Sequence, residues 1–347
     1  MRASFVAAIL PTTLQLLCQR MERALDAGME ILALASDTCD TWVDQTTLHA
    51  LALLEIGNLS CIPVTKGVTY PLVQTPQRLS IWQQLWGRLQ WQGVFAPENL
   101  TAESLGADPT SGDPSRISRS AFIEGFPNTT ALPGYTAAAF MIEQVHAHPG
   151  QVSIFSAGAL TNVATAIRLD PTFAPTAKEL ILMGGYLDTN LYQLQSPLAQ
   201  DISSDFNLLA DPTAAHITLT AAFPSISLAG NVANQQYLSP AQRAAVLAAA
   251  DPANPYARLL ESFELAFPLW DETAAAVMAW PELVTASVVA YADVDTAFDG
   301  PDLGRLHVWA EEFAPPHTRR VNYVLGIDQE AFYERVMHAV AHPPKAC

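Results

Sequence analysis

The chain has 347 residues, 50% of them hydrophobic, which is enough to bury a sizeable core. Its formal net charge of -17 comes from 34 acidic against 17 basic residues, so it repels a polyanion, and nucleic acid is not an expected partner. Cys18, Cys39, Cys61 and Cys347 are too widely spread for a zinc ribbon, a redox CxxC or a dense disulfide framework. No apolar run reaches the roughly 18 residues of a membrane span.

Residues 1–17, MRASFVAAILPTTLQLL, set Arg2 ahead of an apolar stretch in the manner of a secretory leader. Pro11, Thr12, Thr13 and Gln15 interrupt it, and no clean A-x-A site follows. Sequons at Asn58, Asn99 and Asn128 fit export as a glycoprotein. MEILALAS (29–36), the helix-like TTLHALALLEIG and SCIPVTKG (60–67) then read as strand, helix, strand. Residues 75–134 break the rhythm with Pro, Gly, Trp and acidic residues and read as a long excursion or lid.

The alternation resumes with a helix in YTAAAFMIEQVHAHPG, a strand in QVSIFSAG, a helix in LTNVATAIRLDP and a strand in KELILMGG. PSISLAG (224–230) is a further strand, and SPAQRAAVLAAA opens a helix with Ser239 as N-cap and Pro240 in first position. TASVVAYADV, RLHVWAE and a final helix around QEAFYERVMHAV complete the tail. With no internal repeat and no separating linker, this predicts a single α/β domain around a largely parallel, doubly wound sheet flanked by helices.

No G-x-S-x-G, H-E-x-x-H, Walker A or G-x-G-x-x-G signature occurs. In an open parallel sheet the ligand lies beyond the carboxyl ends of the strands, which singles out four places. Ala157, Gly158 and Ala159 precede a helix opening at Thr161 and Asn162, either a close approach for a ligand or a tight turn. Met183, Gly184 and Gly185 close a strand with the same two readings. Asp205 and Asn207 flank Phe206 and would point the same way from an extended segment, offering an acid and an amide to sugar hydroxyls. Asp211-Pro212 reads as a plain helix cap. Asp271 and Glu272 open a helix after Trp270, where acids favour the helix dipole whether or not they bind a cation.

GALTNVATAIRLDP, ELILMGG, SDFNLLADPTAA and PLWDETAAAVMAWPEL occur in an order and spacing that resembles the inosine-uridine-preferring nucleoside hydrolases. ALDAGMEILALASDT, HALALLEIGNLSCIPVTKG and VNYVLGIDQEAFYERV extend the resemblance over nearly all of residues 23–342, which leaves 1–22 as a signal-like or aberrant N-terminus. The resemblance implies a calcium ion at the carboxyl end of the sheet that orients a water and a ribose diol, with hydrolysis through an oxocarbenium-like state. It matches Asp271 and the carbonyl of Thr161 to calcium ligands, Asp205 and Asn207 to ribose contacts, and Met183 to the wall of the ribose pocket. Asp40 replaces a ribose-binding asparagine. Trp270 stands where many members carry a histidine that protonates the leaving base, a role that stacking on a purine could replace in part. A small-molecule ribonucleoside is the implied substrate, a homo-oligomer the implied assembly, and neither nucleic acid nor membrane an implied partner.

The chain departs from the resemblance in one respect. The Asp-x-Asp-x-x-x-Asp-Asp hallmark, which supplies the base, does not occur, and the acids before Met29 are Glu22 and Asp26. No catalytic base is assigned; Asp37, Asp40 and Asp44 form an acidic cluster on a later loop. Two functions follow: calcium-dependent hydrolysis of ribonucleosides to free base and ribose, or nucleoside binding without turnover. Without a first strand the sheet would have a gap, which the apolar residues 3–10 could fill.

Overall fold

Runs of small and branched apolar residues bounded by turns become the strands of one sheet. The computed structural model describes residues 29–89, 95, 98–109, 112–187, 205–262, 265 and 268–342, with the backbone of 4–9. The rest of the leader-like opening, Cys18 and Cys347 lie outside the described residues. The strands are β1 (Ser4–Ile9), β2 (Glu30–Ser36), β3 (Val64–Thr65), β4 (Val152–Ser156), β5 (Glu179–Leu182), β6 (Ile226–Leu228), β7 (Val284–Val294), β8 (Leu306–Trp309) and β9 (Arg319–Ile327). Their order is β3-β2-β1-β4-β5-β6-β9-β7-β8.

β3 through β9 in that order run parallel, and β7 is antiparallel to both its neighbours. β1 fills the central slot: Ser4 pairs with Glu30 and with Val152, and Ala8 with Ala35 and with Ser156. Without it, β2 and β4 would face each other across unpaired backbone groups. β9 adds to the elements expected from sequence, burying Val321, Tyr323, Val324 and Ile327 while Arg319 and Arg320 stay exposed.

Strands β2, β4 and β5 are covered on both faces, which is why they read as continuous apolar runs. One core packs the helices Val43–Ile56, Trp270–Ala279 and Gln329–Ala341 around Leu34, Phe155 and Ile181. The opposite core packs Ala137–Ala147, Thr161–Leu169 and Pro212–Leu219 around Ile154, Leu180 and Leu228. Ser239 and Gln242 form a capping box with Pro240 in the first turn, as the sequence predicts. A third apolar cluster, with Cys39, Trp42, Leu79, Trp82, Ala159 and Leu209, lies at the carboxyl end of the sheet beneath the excursion. Among the described residues no helix is long and apolar enough to cross a membrane. Cys61 is disulfide-bonded, and Cys39 is a buried free thiol.

Candidate active site

The strand ends bring together a group of acids around Asp37, the first residue after β2. Asp37 is fully buried, and neither carboxylate oxygen has a hydrogen-bond partner among the described residues. Burial raises its pKa well above the ordinary range, the charges of Asp40 and Asp271 push the same way, and the nearby amides of Asp37 and Ala159 oppose them. Asp271 joins this group from the first turn of Trp270–Ala279 and is buried together with Glu272.

Asp40 is half-buried, and burial followed by the charge of Asp108 brings its carboxyl to about 7. Asp44 faces away and pairs with Lys66. Cys39 lies between these acids and the ribose-binding candidates, with Sγ 3.7 Å from Asn207 Oδ1. Burial, then Asp40 and Asp37, push its thiol well up, so it stays protonated and inert.

Asp205 and Asn207 do not lie on an extended segment. Asp205 caps the helical turn Phe206–Leu209: its Oδ1 accepts from Asn207 N at 3.1 Å, and its Oδ2 accepts from Gly185 N at 2.6 Å. An aspartate that can bond the amide two residues on closes a cap in preference to an extended chain. Asn207 Nδ2 donates to Met183 O at 3.0 Å and to Ala157 O at 3.4 Å, so the pair ties the ends of β4 and β5 together beside Cys39. Met183 is half-buried and packs on the first core. Asp211 caps Pro212–Leu219 as expected, and its Oδ2 also accepts from Leu72 N at 2.7 Å and from the Thr161 hydroxyl at 2.8 Å.

Thr161 thus turns its hydroxyl to Asp211, and its carbonyl accepts from the Thr165 hydroxyl at 2.7 Å. Trp270 is half-buried beside Asp271, its indole N–H donating to Asn234 Oδ1. Asp37, Asp40, Asp205, Asn207 and Asp271 are therefore brought to one end of the sheet, while Thr161 and Trp270 are engaged with neighbours at its margin. Asp37 carries the weight that the sequence spread over the cluster Asp37, Asp40 and Asp44. Its signal was an acid immediately after an apolar strand.

Among the described residues, a nine-stranded mixed sheet with buried acids at its carboxyl end is an open α/β architecture, in which small polar ligands bind at strand ends. It superimposes on a plant nucleoside hydrolase, PpNRh1, with a TM-score of 0.76 at 18% identity, covering 99% of this chain and 100% of that one. A purine-preferring ribonucleoside hydrolase from Gardnerella vaginalis gives a TM-score of 0.71 at 18% identity over 97% and 98% of the two chains. At that identity the likeness shows the fold. Residues 15–334 match the family described as inosine-uridine preferring nucleoside hydrolase. The protein C800.11 of Schizosaccharomyces pombe is 33% identical over 90% of this chain and 80% of its own length. The pyrimidine-specific ribonucleoside hydrolase RihB of Escherichia coli is 30% identical over 114 residues, 33% of this chain and 34% of that enzyme. The chain belongs to the inosine-uridine preferring nucleoside hydrolase family, hydrolases acting on the N-glycosyl bonds of small-molecule nucleosides.

Proposed function

We propose that this chain is a calcium-dependent N-ribosyl hydrolase that releases free base and ribose from ribonucleosides. The observation that carries this reading is the fully buried Asp37 carboxylate, without a hydrogen-bond partner among the described residues, beside the buried Asp271. Two crowded buried carboxylates are costly unless a cation or protons offset them. Among the described residues no three His, Cys, Asp or Glu side chains are grouped as a metal cage. Asp37 and Asp271 would therefore hold the ion in company with substrate hydroxyls and water, a donor set that suits the flexible oxygen coordination of calcium. When bound, calcium would orient a water and a ribose diol and lower the pKa of that water.

The protein's own part is to place groups around the sugar. Asp40 accepts hydroxyl hydrogens at the mouth, and Asn207 fixes the strand ends against which the ribose lies. The buried negative charge stabilises the oxocarbenium-like ribose as the bond to the base breaks. Trp270 supplies a flat wall for the base. The test is reducing-sugar release from inosine, uridine, guanosine and adenosine with calcium and with a chelator, beside Asp271→Ala. Release that survives both chelation and the substitution would sink the calcium-dependent reading.

The absence of the Asp-x-Asp-x-x-x-Asp-Asp hallmark favours a second reading, nucleoside binding without turnover. It predicts saturable inosine binding by a folded protein that releases no sugar.

Assembly as a homo-oligomer is supported by exposed Val288, Val289 and Leu325 on the paired strands β7 and β9; a monomer mass by light scattering would refute it. Export is supported by the disulfide at Cys61 and by exposed Asn58, Asn99 and Asn128, and a reduced, glycan-free protein recovered from cells would refute it.

A further inference from the structure

The loop that carries Asp37 and Asp40 has no regular structure of its own. Asp37 and Asp40 sit three residues apart on it, so like charges there repel and strain the loop open. Three tethers oppose this. Thr38 Oγ1 donates to Thr69 O at 2.9 Å, Cys39 contacts Asn207, and Thr41 Oγ1 donates to Pro109 O at 2.7 Å. The third tether is only as firm as the excursion that supplies Pro109.

That part of the excursion is fixed at a buried imidazole on the helix Val43–Ile56. His49 Nε2 bonds Asp108 Oδ1 at 2.9 Å, and its Nδ1 bonds Glu124. The ring stacks on Phe122, with centroids 4.0 Å apart and planes at 12°. Gln45 reinforces the contact, donating to Asp108 Oδ1 at 2.8 Å and accepting from Ser118 N at 3.0 Å. An imidazole that gives both nitrogens to carboxylates is a cation. Burial opposes the charge, but the bonds to Asp108 and Glu124 outweigh it and hold His49 up to about 9.

We propose that His49 is a positioning residue for the substrate site, acting through Asp108, Pro109 and Thr41 to hold the loop that presents Asp37 and Asp40. The inference rests on the calcium-dependent ribosyl reading of that pocket. The imidazolium does two things at once: it joins two points of the excursion, Asp108 and Glu124, to one helix, and it offsets the negative charge of Asp108 next to Asp40. Asp108 follows a stretch of turns and would otherwise be repelled from the pocket rim. Neither His49 nor Thr41 touches the ligand in this scheme, so their loss acts on the placement of the acids.

The experiment uses the full chain and calcium itself as the probe. Calorimetric calcium titrations, and KM and kcat for inosine, are compared among the native chain, Thr41→Val, Thr41→Ser, His49→Gln and the double variant T41V/H49Q. Thr41→Val keeps the shape and removes the hydroxyl, so its melting temperature should stay within a few degrees of native. The expected result is calcium binding weaker by about ten-fold in Thr41→Val and in His49→Gln, with KM raised and kcat changed less. The double variant should be no weaker than His49→Gln alone, because residues in one chain of contacts are not additive. Thr41→Ser should restore native affinity. Native calcium affinity in Thr41→Val, or losses that multiply in the double variant, would overturn the proposal. A native chain that takes up no calcium would instead remove the reading on which it rests, and the proposal with it.

Discussion

The indole N–H of Trp270 donates to Asn234 Oδ1 at 2.5 Å. The one proton this side chain can give is therefore engaged inside the protein, and on the function proposed above Trp270 would offer a base its ring face instead of an acid. A ring face favours the larger π-surface of a purine, by about 0.5 to 1.5 kcal/mol beyond burial. Trp270→Ala should accordingly raise KM for inosine about 2- to 10-fold more than KM for uridine. Equal losses on the two nucleosides would rule out stacking as its role.

Asp37 predicts how the cation-free protein responds to pH. Its carboxyl is raised well above 3.8, chiefly by burial and then by Asp40 and Asp271, so the folded chain holds this proton more tightly than the unfolded chain does. The sign follows: as pH rises past the ordinary carboxylate range, the folded state binds the extra proton and stability falls. In chelator, the melting temperature should decline from about pH 4 toward neutrality. Asp37→Asn should flatten that decline, and calcium should do the same to the native chain. A decline of the same steepness in Asp37→Asn would show that the Asp37 proton is not its source.

His49 predicts a different window. Its folded pKa of about 9 exceeds the ordinary 6.5, so its contribution is complete below 6.5 and is lost as pH rises to about 9. The difference amounts to about 3 kcal/mol. His49→Gln should melt well below native at pH 6, and the gap should close toward pH 9.5. A gap independent of pH would mean that packing on Phe122, and not charge, is what His49 contributes.

Particular residues show where sequence suffices and where it stops. β2, β4 and β5 are legible because a strand buried on both faces must be apolar throughout. SFVAAI is compatible with a leader and with a strand alike, since both require an apolar run, and only its pairing with β2 and β4 separates them. Asp205 and Asn207 mislead because spacing in D-F-N fits an extended chain as well as a cap, and the cap is decided by a bond to the Asn207 amide. Asp37 meets Asp271, and His49 meets Asp108 and Glu124, through chain reversals that no local pattern encodes. The resemblance named Asp40, Asp205, Asn207 and Asp271; the geometry sets Asp37 among them at the same end of the sheet.

Gly67 yields the last prediction. A Cβ there would lie 2.1 Å from Ser36 O and 2.5 Å from Asn162 Nδ2, so the chain after β3 approaches the end of β2 more closely than any side chain permits. The approach is held by fully buried Asn162, whose Nδ2 donates to Ser36 O at 2.8 Å while its Oδ1 accepts from Val68 N at 3.0 Å. Val68 and Thr69 in turn receive the Thr38 hydroxyl of the acidic loop. Gly67→Ala must push this loop outward at a cost of about 1 to 3 kcal/mol. Asn162→Ala leaves two backbone groups unpaired, at a similar cost. In urea melts each variant should lose stability by that amount, and the double variant should lose less than the sum, since both disturb the same contact. A Gly67→Ala chain as stable as native would show that β3 can shift without moving Ser36, and the acidic loop would then need a different anchor.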